Sequence, residues 1–227
     1  MKHLFLSIFS ALVFISTGLS AAHAQQSGEQ DISSIIKETQ KLDSANDSIN
    51  IIWWIPNEYW QRALGNSHRL TATQVTDFTK TLEDYTVVLV IDAKKGAVAT
   101  LTYTPEDIVR KNTKLILPSG DQLSPLADDD LTPAAKNIFS MMKPILGNMM
   151  GQLGQNADFL FFRNKDKDGK LLLNPIGTGK LTVNSNGHSA SWRLPLGSLL
   201  PPKICPVCGE PLPGNYMFCP FDGTKLK

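Results

Sequence analysis

Thr86-Val87-Val88-Leu89-Val90-Ile91-Asp92 decides the fold class. A strand with one wet face alternates apolar and polar residues, whereas this run offers no polar face between Val87 and Ile91. It is expected to be a central strand, covered on both sides. Ala93-Lys94-Lys95-Gly96 is read as the turn that follows, and residues 97–103 as the antiparallel neighbour. Residues 49–55, 114–117 and 159–162 carry the same β-prone character. Leu181 and Val183, then Asn186-Gly187, then Trp192 and Leu194 spell a hairpin, because Asn-Gly accepts the positive φ angles of a two-residue turn.

Helix signals lie between these strands. Asp31 caps a helix that places Ile32, Ile35, Ile36 and Leu42 on one face. Pro56 suits the first turn of a short helix holding Glu58, Tyr59, Trp60 and Leu64. Thr71-Ala72-Thr73-Gln74 is a capping box, followed by Val75, Phe78 and Leu82 on one stripe. Thr104-Pro105-Glu106-Asp107 starts another helix, and Thr132-Pro133 starts a long one rich in methionine, which Pro144 is expected to bend and Gly147 to weaken. Short connections between strands and helices of this kind predict an α+β domain: a mainly antiparallel sheet with helices packed on it, over residues 31–198.

The two ends differ from this body. Residues 1–24 read as a secretory signal peptide: Lys2 and His3, a mostly apolar run from Leu4 to Leu19, and the small-x-small site Ala22-His23-Ala24. Residues 25–30 are polar and expected to be disordered. The expected location is periplasmic or secreted, with no transmembrane segment in the mature chain. Loss of Lys2 takes the formal net charge from +1 to 0, so electrostatics gives no case for nucleic-acid binding.

Residues 199–203 form a proline-stiffened connector into residues 204–227. There, Cys205-Pro206-Val207-Cys208-Gly209 is matched by Cys219-Pro220-Phe221-Asp222-Gly223. The turn inside each unit points its two ligand side chains at one centre, and the glycine lets the chain leave with positive φ. Zinc accepts carboxylate oxygen as well as thiolate sulfur, so Cys205, Cys208, Cys219 and Asp222 can close a tetrahedron. A Cys205–Cys208 disulfide and an inert turn are the competing readings. The prolines and glycines after Cys208 prevent the helix that activates a redox Cys-x-x-Cys pair.

These two knuckles resemble zinc-ribbon domains over about the last tenth of the chain. The resemblance implies a structural zinc, and the chain departs from the pattern at Asp222, where a fourth cysteine would stand. The body, with Trp54-Ile55-Pro56-Asn57-Glu58-Tyr59-Trp60, Met141-Met142-Lys143-Pro144 and Arg193-Leu194-Pro195-Leu196-Gly197-Ser198, resembles exported bacterial proteins. That resemblance implies export and carries no activity.

Trp53, Trp54, Tyr59 and Trp60 are either core anchors or an aromatic surface for a sugar, peptide or lipid headgroup. Asn164-Lys165-Asp166-Lys167-Asp168-Gly169 imitates the start of a calcium loop, but Pro175 stands where a bidentate Glu belongs. Hydrolase and dinucleotide-binding motifs are missing. The expected function is therefore a non-enzymatic binding or scaffold protein with a structural zinc ribbon, acting on a protein or small-ligand partner. The alternatives are a hydrolase using His68, His188 and acidic residues, or a thiol redox protein using Cys205 and Cys208.

Overall fold

The computed structural model describes residues 32–44, 47–65 and 70–227. The expected signal peptide, residues 25–30, Asp31 and His68 lie outside them. In chain order the described residues form α1 (Ile32–Thr39), β1 (Gln40–Asp43), β2 (Ser48–Ile55), α2 (Asn57–Gly65), α3 (Ala72–Leu82) and β3 (Tyr85–Lys95). Next come β4 (Leu101–Tyr103), α4 (Glu106–Asn112), β5 (Lys114–Ile116), β6 (Gln122–Leu123), α5 (Pro133–Met150), α6 (Gln152–Gln155) and β7 (Asp158–Arg163). β8 (Gly179–Ser185), β9 (His188–Leu194), β10 (Lys203–Ile204) and β11 (Pro211–Leu212) complete the chain.

The architecture is α+β, with every strand pairing antiparallel. β3 is the central strand. It pairs with β2 along one edge, while β7 and β4 share the other. The strands of the body divide over two sheets, the second in the order β6-β5-β8-β9. This division explains the unbroken apolar run. Val87, Leu89 and Ile91 join the core under the helices, with Ile35, Tyr59, Leu64, Phe139 and Leu146. Val88 and Val90 join a second core, with Leu115, Leu181, Val183 and Trp192 of the other sheet. Side chains alternate across a strand, so a strand between two layers must be apolar at every position. Each such Val, Leu or Ile contributes about 1.5–3 kcal/mol on burial.

The same alternation settles the aromatic cluster. Trp53, Trp54, Tyr59 and Trp60 are 2%, 1%, 0% and 1% exposed, so the aromatic surface expected as one option is not formed. Trp53 points to the helix side, where its ring meets Tyr59 edge-on at 5.2 Å. Trp54 points to the other side, against Trp192 at 5.8 Å.

Several local expectations change. The first helix stops at Thr39, and Leu42 lies on β1, 64% exposed, because residues 40–43 pair with β2. The Thr39 hydroxyl donates to Ile35 O at 2.7 Å and accepts from Trp53 Nε1 at 3.0 Å, which fixes the switch from helix to strand. Residues 93–95 continue β3 instead of turning, and the return strand is only Leu101–Tyr103. The turn between them carries Val98 at φ 60°. α5 runs through Pro144 to Met150. By contrast, Thr71 and Gln74 make the expected capping box in both directions. Asn186 and Gly187 take φ 47° and 84° in the expected two-residue turn.

The C-terminal segment does not hang free. Gly214 N donates to Gly197 O at 3.2 Å, and Asn215 Nδ2 to Pro195 O at 3.0 Å. On its other side the 195–198 loop is held by Glu38, whose carboxylate accepts from Gly197 N at 2.8 Å and Ser198 N at 2.9 Å. Arg62 Nη1 donates to Ser198 O at 2.9 Å. A Cβ on Gly197 would collide with Asn215 Oδ1 and lie 2.8 Å from Pro213 Cβ, so the close approach requires glycine.

Candidate metal centre

Residues 203–227 are built on two loops with one backbone pattern. In the first, Cys205 N donates to Glu210 O at 3.0 Å and Gly209 N to Cys205 O at 2.9 Å. In the second, Cys219 N donates to Thr224 O at 2.8 Å and Gly223 N to Cys219 O at 2.9 Å. Gly209 and Gly223 exit with φ 74° and 75°, a conformation that favours glycine. Asp222 therefore occupies, in the second loop, the place Cys208 occupies in the first. β10 and β11 flank the first loop, a bridge between Phe218 and Lys225 flanks the second, and Cys205, Cys219, Leu212 and Leu226 form a core of their own.

One ligand atom from each of Cys205, Cys208, Cys219 and Asp222 lies within 4.8 Å of the other three. Cys208 Sγ is 3.7 Å from Cys219 Sγ, and Cys205 Sγ donates to Asp222 Oδ2 at 3.3 Å. A tetrahedron with metal–sulfur bonds of about 2.3 Å has edges of about 3.8 Å, so the sulfur spacing fits one metal ion. All three cysteines are free, and a disulfide would bring a sulfur pair to about 2.05 Å. Cys205 and Cys219 are buried, whereas Cys208 and Asp222 face solvent. Asp222 is prepared to act as an anion: the Thr224 backbone N–H, 2.8 Å from Oδ1, and then the Thr224 side chain hold its carboxyl well below the usual range, against its desolvation. Oδ2 stays turned toward the sulfurs.

The other candidates fare differently. His188 Nδ1 lies 3.3 Å from Asp43 Oδ2, so one histidine–carboxylate pair does form. Among the described residues, clefts of about 360, 440 and 620 Å³ open on the body, and His188 does not line these. In the calcium-like loop, Asp166 Oδ1 accepts from the backbone N–H of Asp168 and of Lys170, both at 2.9 Å, which makes it a turn-former. The 128–130 carboxylates are similarly engaged: Asp128 with Arg110, Asp129 with Lys136, and Asp130 with Ala127 N.

Sequence reasoning passed over one buried ionisable group. Asp158 is 4% exposed, with Lys143 Nζ at 3.9 Å. Burial, and then the charge of Glu106, push its carboxyl up to about 7, against Lys143 and Arg110. Burial also acts on Glu106, but hydrogen bonds and charges from Lys143 and Arg110 outweigh it and hold that carboxyl low. No local signal marks Asp158, since its partners come from α4 and α5.

No helix among the described residues is long and apolar enough to cross a membrane. The chain matches no family model, no curated protein and no solved structure.

Proposed function

We propose that residues 204–227 are a structural zinc ribbon and that the chain is an exported, non-enzymatic binding or scaffold protein. The observation that carries this reading is the convergence of Cys205, Cys208, Cys219 and Asp222 within 4.8 Å on two matched loops. Three thiolates with one carboxylate suit zinc, whereas calcium and magnesium take oxygen ligands throughout. Four protein ligands leave no open position for a substrate water, which favours a structural role. The loops also carry apolar tips. Val207 and Phe221, matched residues one position before Cys208 and Asp222, are each 71% exposed, and Met217 and Phe218 are 62% and 57% exposed. Apolar residues clustered on so small a segment favour contact with a partner protein. Export rests on the composition of residues 1–24.

The test begins with elemental analysis of protein recovered from the periplasm or medium. About one zinc per chain is expected. Asp222→Cys should keep the metal, and Asp222→Ala should weaken it at least about tenfold, or 1.4 kcal/mol, in competition with a chromophoric chelator. Val207→Ser with Phe221→Ser should keep zinc and fold while losing in-cell crosslinks to a partner. Metal-free protein with a Cys205–Cys208 disulfide would transfer the case to the thiol redox reading.

A further inference from the structure

The three sulfurs of the metal centre differ in what can reach them. Cys205 and Cys219 are 1% and 2% exposed, inside the small core with Leu212 and Leu226. Cys208 faces solvent, and residues 206–210 around it are all exposed. A small reagent in solution therefore meets Cys208 first. Behind it, Cys219 Sγ lies 3.7 Å away. A disulfide is about 2.05 Å long, so a shift of about 1.7 Å joins this pair. An open thiol with a second thiol directly behind it is the arrangement of a reactive and a resolving cysteine.

The fourth ligand decides what such a bond does to the centre. Asp222 has no sulfur, so once Cys208 and Cys219 are joined, Cys205 has no thiol of the centre left to pair with. Cys205 and Asp222 alone then face the metal position, and two ligands do not close a tetrahedron. Ligation supplies the folding energy of a segment this small. Its loss opens the core in which Leu212 and Leu226 are now 5% and 6% exposed.

We propose that Cys208 and Cys219 are a hydroperoxide-reactive pair whose oxidation expels the metal and opens residues 203–227. This rests on the ribbon reading and adds to it a modification site and its reagent class. Bound metal keeps the thiols deprotonated. The Cys208 thiolate attacks the terminal oxygen of the hydroperoxide. An S–O bond forms, the O–O bond breaks, and the leaving alkoxide takes a proton and departs as an alcohol, or as water from hydrogen peroxide. The Cys219 thiolate then attacks the Cys208 sulfur. The S–S bond forms, the S–O bond breaks, and hydroxide takes a second proton and leaves as water. The two sulfurs together lose two electrons, and the peroxide gains them. A thiol reductant reverses the change by exchange.

The experiment adds hydrogen peroxide to the reduced, full-length, zinc-loaded protein beside a chromophoric zinc indicator, and maps disulfides by peptide mass spectrometry. About one zinc should be released per chain, with about one peroxide consumed and a Cys208–Cys219 bond as the product. Brief iodoacetamide treatment of the zinc-loaded protein should alkylate Cys208 at least about tenfold faster than Cys205 or Cys219. Dithiothreitol with added zinc should restore the metal content. Cys219→Ser, kept in excess zinc, should hold Cys208 as a sulfenic acid, read as a dimedone adduct. Mapping of the wild-type chain decides the matter should that variant fail to fold. Zinc retained under peroxide, a bond to Cys205, or Cys219 alkylated first would overturn the proposal. Protein that carries no zinc before peroxide is added would instead end the ribbon reading, and the metal step with it. The bond formed in that protein then tests the pair alone: Cys208–Cys219 supports it, and any other pairing sinks it.

Discussion

Asp158 is the residue whose chemistry is set most fully by its surroundings. Its side chain is 5% exposed, and its carboxyl is raised from 3.8 to about 7, first by burial and then by Glu106. A raised folded-state value means that the folded chain holds the proton more tightly than the unfolded chain. The associated stability is fully present below about pH 4 and is lost as pH rises through about 7. Asp158→Asn should therefore leave stability near pH 4 almost unchanged and raise it at pH 8. The gain is at most about 4 kcal/mol at 1.36 kcal/mol per pH unit, reduced by loss of the Lys143 contact. Urea unfolding of both proteins at pH 4, 6 and 8 measures this. A wild-type stability that rises from pH 4 to 8 as fast as that of the variant would contradict the assignment.

Among the elements, the start of α3 was readable in advance and the end of α1 was not. Thr71 and Gln74 satisfy each other's backbone N–H groups within four residues, so the start of α3 depends on nothing distant. Thr71→Ala should cost about 1 kcal/mol, readable as a lowered urea midpoint with an unchanged slope, and Thr71→Ser should restore most of it. The end of α1 depends instead on Trp53, which donates to Thr39 at 3.0 Å from 14 positions away. Periodicity extended that helix to Leu42, and pairing with β2 overrode it. The aromatic run shows the same division. The sequence announced a cluster at 53–60, but the face each ring takes follows from β2 lying between two layers.

At the scale of the molecule, the C-terminal segment and the body meet through the 195–198 loop. Two hydrogen bonds from Gly214 and Asn215 reach that loop, and Glu38 and Arg62 hold it from behind. A segment of this size lacks the core to fold alone, so ligation of metal is expected to supply its folding energy. Chelation should melt residues 203–227 first and lower the main thermal transition by a few degrees, about 1 kcal/mol for a chain this long. Gly197→Ala should reproduce that shift with metal still bound, because its Cβ collides with Asn215. Calorimetry of both proteins with and without chelator tests this. An unmoved main transition in either case would mean that the contacts at Gly197 carry no coupling.

What the sequence determined by itself was whatever depends on short range or on repeated local spacing. The apolar run at 87–91 required a strand covered on both faces, Thr71-Ala72-Thr73-Gln74 required a helix start, and Asn186-Gly187 required a tight turn. The two knuckles likewise placed four ligand-type side chains at matched offsets, and the structure brings them within 4.8 Å. Tertiary structure alone decided what depends on partners far along the chain. It divided the strands into two sheets, buried all four aromatics of the 53–60 run, and brought Asp158 and Glu106 to the same Lys143. The physical reason is that burial and charge pairing are properties of neighbours in space, and at these positions the neighbours come from elements that no local pattern in the sequence connects.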